Sequence, residues 1–184
     1  MVSFALLCYF WHTFFSETDR TPFASVYSSL GCKFGCSFCM INILNRDNTN
    51  PGAKSSDFKI MRHWDPIFFV DQLEILANYG VKTIRLSDEM FFLNKKFYVP
   101  VLEEIIKREL KFNMWAYARV DTVREDQLAL FKKAGINWLC LGIEAGSQVV
   151  RRDIEKGRFQ DTNIRQVVKM INEHGINILG NYIF

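Results

Sequence analysis

Apolar and polar positions alternate along this chain in blocks that predict strands and helices in turn. Five short β-prone runs are predicted strands: 24–29, 82–86, 112–118, 138–143 and 176–184. The segments between them repeat apolar residues every three or four positions, as amphipathic helices do. These predicted helices cover 65–80, 95–110, 124–134 and 161–173. Strand–helix units of about 30 residues predict a parallel sheet with right-handed crossovers, in an α/β fold.

Residues at the ends of the predicted helices support their boundaries. Asp65 followed by Pro66 fits an N-cap and the first helical position. Asp161 and Thr162 are predicted to cap the last helix. The segment 31–57 contains several Asn, Pro and Gly residues and is predicted to be largely loop.

The pattern leaves two architectures open. The predicted strands are nearly continuous in apolar residues, which indicates a sheet buried on both faces. Such a sheet is either open and doubly wound or closed towards a barrel, and periodicity does not distinguish the two. Because the chain ends at Phe184 inside the fifth predicted strand, we expect it to be part of a longer protein.

Composition narrows the function classes only modestly. The 184 residues are 49% hydrophobic and 23% charged, with a net charge of +3, which is too weak to indicate a nucleic-acid or membrane partner. The first 15 residues are nearly all apolar, but they lack the basic start of a signal peptide. They are also fewer than the ~20 residues that a membrane span needs. We therefore expect a cytoplasmic protein.

The clearest chemical signal is a cluster of cysteines. Of five cysteines, Cys32, Cys36 and Cys39 form a C-x3-C-x2-C motif directly after the first predicted strand. Loops at that position bind ligands in parallel α/β folds. Thiolates are soft ligands that favour iron–sulfur clusters and zinc, and three of them can hold three corners of a four-iron cluster. We therefore predict an iron–sulfur cluster, with its fourth iron open to a small ligand.

A structural zinc site is the alternative. Such a site normally has four protein ligands, so a fourth residue would have to join the three cysteines. The candidates are Cys8, His12, His63 and Cys140, and none stands at a characteristic spacing. Cys140 lies in the middle of a predicted strand and is better explained as a buried core thiol.

The sequence around these cysteines resembles a known family. The segment SSLGCKFGCSFCMINI resembles the defining motif of the radical S-adenosylmethionine (SAM) superfamily, in particular of members whose radical domain follows a cobalamin-binding domain. Later phrases are similar in order and spacing: RLSDEMF, WAYARVD, AGINWLCLGIEAGS and GINILGNYIF. The resemblance extends from about Phe23 to the end of the chain.

The resemblance implies a fold and a chemistry. The fold would be a partial parallel (βα)6 barrel, similar to a TIM barrel, of which this chain supplies five strands as residues 23–184. Residues 1–22 would be an N-terminal segment, either a linker or the end of an upstream domain. A 4Fe-4S cluster would cleave SAM reductively to a 5′-deoxyadenosyl radical, and cobalamin would need a domain absent from this chain. The outcome would be methylation or ring formation on an unidentified small molecule, with a one-electron reductant such as flavodoxin or ferredoxin.

The resemblance also implies contacts to the methionine part of SAM. Ser87, Asp88 and Glu89 stand where the family has a Gly-Gly-Glu-like motif that receives the amino group, although this chain lacks both glycines. A solvated helix N-cap is the alternative for these residues. Arg119 and Lys156 are candidates for binding the carboxylate of the methionine part, and each can equally be a surface charge.

Four further residues would contact the nucleoside part. Glu144 would accept hydrogen bonds from the ribose hydroxyls, and Asn181 would be a second ribose contact. Phe38 would pack beside the adenine, although packing within the loop explains it equally well. Gly180 would allow the adenine to approach the backbone closely.

Two further hypotheses remain open from the sequence. The chain can be a non-catalytic zinc-binding or electron-transfer module, which metal analysis distinguishes from a four-iron enzyme. The isolated chain can also be inactive, because an incomplete barrel exposes a sheet edge that favours aggregation.

Overall fold

A computed structural model of the chain describes residues 6–7, 22–34, 36, 39–41, 61–153 and 162–183. The strands in these residues are β1 (Leu6–Leu7), β2 (Phe23–Val26), β3 (Ser29–Gly31), β4 (Met61–His63), β5 (Thr83–Leu86), β6 (Asn113–Arg119), β7 (Ile136–Glu144) and β8 (Asn177–Tyr182). The α-helices are α1 (Pro66–Asn78), α2 (Lys95–Lys107), α3 (Glu125–Lys133), α4 (Gln148–Asp153) and α5 (Ile164–Glu173).

The main sheet has the order β1-β2-β5-β6-β7-β8. Strands β2, β5, β6, β7 and β8 pair in parallel, and β1 pairs antiparallel with β2 at the edge. Along the chain, each new parallel strand pairs with the strand before it, always on the same side. A doubly wound sheet would reverse its strand order at a switch point, whereas a barrel does not. The sheet is therefore of the barrel type, which confirms the predicted α/β fold.

The helices cover one face of this sheet and form the hydrophobic core with it. The sheet contributes Ile84, Leu86, Ala116, Leu139 and Leu141, all at least 99% buried. Opposite them lie Val70 and Leu73 of α1, Val101, Leu102 and Ile105 of α2, and Leu128 and Phe131 of α3. Within the described residues, no helix is long and apolar enough to cross a membrane.

The opposite face of the sheet, which we name the inner face, is polar and aromatic. Its residues alternate with the core positions along each strand, as the two-residue period of a strand requires. The register places Ser25, Arg85, Trp115 and Trp138 side by side across four strands. One step towards the carboxyl ends of the strands lie Tyr117 and Cys140.

The start of α1 confirms the predicted cap, whereas the start of α5 does not. The Asp65 carboxylate accepts hydrogen bonds from the amides of Ile67 and Phe68 at 3.0 Å. The last helix was predicted to begin at Asp161–Thr162, but Asn163 is its N-cap, because its side-chain oxygen accepts from the Gln166 amide at 3.2 Å.

The first predicted strand is wrong as a single unit. It breaks after Val26, and residues 29–31 instead pair antiparallel with β4, placing Ser29 opposite His63 and Gly31 opposite Met61. The sequence analysis predicted no strand at 61–63, because three residues are too few to show a period. This small sheet brings together the two ends of the segment that contains the cysteines.

Candidate functional site

A cavity of about 340 Å³ opens at the carboxyl ends of the parallel strands. Its wall includes six residues predicted from the sequence: Ser87, Asp88, Glu89, Arg119, Glu144 and Asn181. They lie at or just after the carboxyl ends of four different strands, and the parallel register brings them to one edge. Ligands bind at this edge in parallel barrels, because the loops there converge.

The cysteine loop begins at this same edge. Gly31 ends β3 with φ of 96°, a left-handed conformation that glycine adopts without strain, and Cys32 follows immediately. The Cys39 amide donates to the Cys36 carbonyl at 3.1 Å, which forms a tight turn between the second and third cysteines. None of the four described cysteines forms a disulfide.

The three cysteines differ in exposure. Cys32 is buried, Cys36 is half-buried and Cys39 is exposed. Burial raises the pKa of the Cys32 thiol, and the neighbouring Cys36 and Cys39 raise it further. The Phe34 amide, which donates to Cys32 Sγ at 3.4 Å, and the Arg119 guanidinium act in the opposite direction. The thiols thus lie close enough to influence one another electrostatically.

Arg119 joins the cysteine loop to the cavity. It lies at the end of β6 and forms a two-point ion pair with Asp121, with Nε–Oδ1 at 2.9 Å and Nη2–Oδ2 at 2.7 Å. Its guanidinium stacks 3.6 Å from the centre of the Phe34 ring, and Nη1 lies 3.9 Å from Cys36 Sγ. It is 6% exposed, so the alternative of a surface charge is wrong.

Asp88 uses its carboxylate to hold the chain ahead of the cysteines. It is fully buried and accepts from the Ser28 amide at 3.1 Å, from Ser28 Oγ at 2.7 Å and from Ser29 Oγ at 2.5 Å. Burial raises its pKa, and these hydrogen bonds act in the opposite direction. The predicted alternative of a solvated helix N-cap is wrong here, because the carboxylate contacts neither solvent nor a helix start.

Glu89 differs from its neighbour in having an oxygen available. Its Oε2 is buried and has no hydrogen-bond partner among the residues that the structure describes. Burial is the main cause that raises its pKa; the Asp88 charge raises it further, while its own amide and that of Gly31 lower it. An orphaned carboxylate oxygen in a cavity wall costs free energy unless a donor binds to it. This oxygen therefore fits an amino group of a ligand.

Glu144 ends β7 in an unusual conformation. Its φ of 61° is left-handed, which is uncommon for a residue other than glycine and often marks a functional site. The Arg151 guanidinium donates to the carbonyls of Ala145 and Gly146 at 2.9 and 2.8 Å, and so fixes the turn that follows. The sequence analysis missed both Arg151 and helix α4, which contains it.

Of the remaining predicted residues, only Asn181 lies in the cavity wall within the described part of the chain. Asn181 lines the cavity at the end of β8, next to Gly142 of β7. A side chain at Gly180 would instead meet Ile143 and Tyr182, so its approach to adenine stays a prediction. Phe38 and Lys156 lie outside the described residues.

The sequence analysis missed five cavity residues, which are Met90, Tyr117, Ala118, Cys140 and Gly142. A usable signal was present for two of them. Tyr117 lies two residues before Arg119, and Cys140 lies four residues before Glu144, so the two-residue period puts each on the same sheet face as a predicted site residue. Cys140 is buried as predicted, but it belongs to the cavity wall as well as to its strand.

The described residues provide no fourth ligand for a structural zinc site. His63 packs against Phe97 with ring centres 4.5 Å apart, and Cys140 lies within β7. Among the residues that the structure describes, Cys32, Cys36 and Cys39 included, no three His, Cys, Asp or Glu side chains are grouped so that they could hold a metal ion, so this finding does not distinguish zinc from an iron–sulfur cluster. Cys8 and His12 lie outside those residues.

Comparison with known proteins gives consistent relatives. The chain is 29% identical over 171 residues to an uncharacterised methyltransferase of Pyrococcus horikoshii, covering 91% of this chain and 34% of that protein. It is 30% identical over 152 residues to the anaerobic magnesium-protoporphyrin IX monomethyl ester cyclase of Rubrivivax gelatinosus, covering 79% and 24% respectively. The chain thus spans about a quarter to a third of these relatives.

Solved structures share the fold. The cobalamin- and [4Fe-4S]-bound methyltransferase TsrM of Kitasatospora setae superimposes with a TM-score of 0.71 at 20% identity, covering 90% of this chain and 29% of that one. The cobalamin-dependent SAM radical enzyme OxsB gives 0.69 at 22% identity, covering 86% and 23%. The sheet is therefore a partial radical SAM barrel. The radical SAM superfamily profile matches residues 26–184, and the chain belongs to this superfamily.

Proposed function

We propose that this chain is the cluster- and SAM-binding core of a radical SAM enzyme. Cys32, Cys36 and Cys39 would hold a 4Fe-4S cluster, and the adjoining cavity would hold SAM. One observation supports this assignment above the others. Arg119 lines the cavity and also lies 3.9 Å from Cys36 Sγ, so the cavity and the thiols form one site.

The chemical types of the residues present suit these two groups. Three soft thiols in one loop, with no disulfide among them, suit an iron–sulfur cluster that keeps one iron open. The orphaned Oε2 of Glu89 suits the amino group of SAM, because a carboxylate is a strong acceptor for N–H donors. Glu144, at the opposite side of the cavity, suits a ribose diol.

When bound, the cluster would supply the electron for reductive cleavage of SAM to methionine and a 5′-deoxyadenosyl radical. The chain's own task is to bind and orient. Asp88 fixes the entry to the cysteine loop, Glu89 accepts from the amino group, and Glu144 holds the ribose. Burial raises the pKa of the Cys32 thiol, and the charge of Arg119, which also lies 3.9 Å from Cys36 Sγ, acts in the opposite direction.

The wider function follows from the relatives and is part of the proposal. The longer protein would methylate or cyclise a small molecule, with cobalamin bound through another domain. It would receive electrons from a flavodoxin or ferredoxin in the cytoplasm. Residues 23–184 would form the radical domain, with Phe38 beside the adenine, Gly180 close to it, and Arg119 or Lys156 near the SAM carboxylate.

Anaerobic reconstitution with iron and sulfide tests the central claim. We expect about four irons per chain, a brown protein, and an electron paramagnetic resonance signal after dithionite reduction. Incubation with SAM and dithionite should then yield methionine and 5′-deoxyadenosine in equal amounts. A colourless protein that binds one zinc and leaves SAM intact would replace the proposal with the zinc-binding module.

The orphaned oxygen of Glu89 predicts a pH-dependent affinity for SAM. Because burial raises the pKa of this carboxyl, the ionised acceptor is lost at a higher pH than for an ordinary glutamate. SAM binding should therefore weaken as the pH falls from about 7 towards 5. Calorimetric titration of the reconstituted protein measures this. Glu89→Gln should weaken binding about tenfold at pH 7 and remove most of the slope. An equal slope in the variant would assign the pH dependence to another group.

A further inference from the structure

Arg85 is a charged side chain in the middle of the inner face, where the proposed chemistry gives it no task. It lies between Ser25 of β2 and Trp115 of β6 in the sheet register. Its guanidinium carbon lies 4.8 Å from the centre of the Trp115 ring and 5.5 Å from that of Tyr117. Nη2 donates to the Tyr117 hydroxyl at 2.6 Å, which fixes the orientation of the group.

No anion of the described chain balances this charge. Arg85 forms no ion pair within the described residues, and its buried Nε has no hydrogen-bond partner. Cys140, a thiol in the cavity wall, is close enough for the charge of Arg85 to act on it. Burial raises the pKa of that thiol to about 12, even though Arg85 lowers it, so the thiol is neutral at physiological pH.

An oriented guanidinium without a counter-charge indicates a ligand. Removing a charged group from water is unfavourable unless an anion and hydrogen bonds compensate for it. Guanidinium binds carboxylates through two parallel N–H donors, and Tyr117 uses only one of the N–H donors of Arg85. Tyr117, which accepts a hydrogen bond from Arg85, itself lines the cavity, so one side chain separates Arg85 from a ligand there.

The surroundings also suggest the shape of the ligand. Trp115 and Trp138 lie beside each other on the inner face, next to Arg85, and both are partly exposed there. Indole rings offer flat surfaces on which a conjugated ring stacks favourably. The described inner face therefore combines a cation with aromatic surface, a combination suited to a flat acid.

We propose that Arg85 is the anion subsite for the substrate of this enzyme, which carries a carboxylate on a flat ring system. This inference rests on the proposed function, because it places the substrate on the inner face below the SAM cavity. The carboxylate would pair with the guanidinium of Arg85, while the ring would lie against Trp115 and Trp138.

Calorimetry with two matched probes, naphthoate and naphthamide, tests the subsite. They share one ring system and differ in charge. The reconstituted protein should bind naphthoate at least about tenfold more tightly than naphthamide. Arg85→Gln should bring the ratio close to one, and Arg85→Lys should keep part of it. Arg165→Gln, which removes an exposed arginine on α5, should leave the ratio unchanged.

The outcomes separate this inference from the proposed function. A ratio near one in the unmodified protein, no naphthoate binding, or an unchanged ratio in Arg85→Gln would each overturn the subsite. Iron content and SAM cleavage, measured on the same preparations, report the proposed function independently. Normal SAM cleavage with no preference for the acid would remove the subsite alone. Acid preference that depends on Arg85, without bound iron, would keep the anion site and remove the radical enzyme.

Discussion

Serine in place of Cys36 is expected to lower the iron bound after anaerobic reconstitution from about four atoms per chain to less than about one. A hydroxyl is a hard, weakly acidic ligand, whereas the irons of a cluster require soft thiolates. Cys36 is the central cysteine of the loop, and Arg119 lies 3.9 Å from its sulfur. Iron and sulfide analysis, the visible spectrum and the dithionite-reduced paramagnetic signal measure the loss.

A matched control uses a cysteine outside the loop. Cys140→Ser makes the same atom exchange in β7, at a residue that is 1% exposed. That variant should keep its iron, even if burial of the hydroxyl lowers its stability. Equal iron loss in both variants would indicate a general folding defect, and unchanged iron in Cys36→Ser would exclude the cysteine loop as the cluster site.

The elements that carry this site were predictable because their signals are local. The alternation of apolar residues gave β5 to β8 and the four helices α1, α2, α3 and α5, with boundaries that differ by a few residues. Asp65 marked the start of α1, because capping depends only on the residues that follow it. The cysteine motif is likewise recognisable from residues that are close together in the sequence. Strand order was not predictable from periodicity, because every parallel arrangement buries the same apolar residues.

The different roles of Asp88 and Glu89 could not be predicted from the sequence. Both are acidic and adjacent, and the sequence treats them alike. Their roles differ because β2 pairs with β5, which brings Ser28 against Asp88 and leaves Glu89 facing the cavity. That pairing joins residues 60 apart in the chain. Helix α4 and strand β4 were missed for a related reason, since each is too short for a period to show.

Arg119 lies where the sequence predicted it, but its pairing with Asp121 was not predicted. The sequence placed it after the third predicted strand and assigned it to the SAM carboxylate. Its two-point pairing with Asp121 occupies Nε and Nη2, while Nη1 is directed at the Cys36 sulfur. The signal for this pair was present, because Asp121 lies only two residues further on. A neighbour of opposite charge at that distance competes with any ligand for the guanidinium.

The anchoring of the segment before the cysteines makes Asp88 the second position with a large expected effect. Its carboxylate accepts from one amide and two hydroxyls of Ser28 and Ser29, all in a buried environment. Asp88→Ala leaves these donors without an acceptor, at a cost of about 1–3 kcal/mol for each buried group that water cannot reach. We expect a loss of about 3–5 kcal/mol in the free energy of unfolding, a large part of the total for a domain of this size.

The same change should lower iron binding in the protein that remains folded, because Ser29 begins the strand that leads directly into Cys32. Urea unfolding and iron analysis on the folded fraction measure the two effects. Ser87→Ala is the matched control, since it removes the 2.7 Å hydrogen bond with Ser25 across the same strand pair and keeps the acceptor of Ser28 and Ser29. It should cost only about 1 kcal/mol and keep its iron. Asp88→Asn keeps one acceptor oxygen and should fall between the two. If all three variants bound iron equally, Asp88 would have no part in positioning the cysteine loop, whatever it contributes to stability.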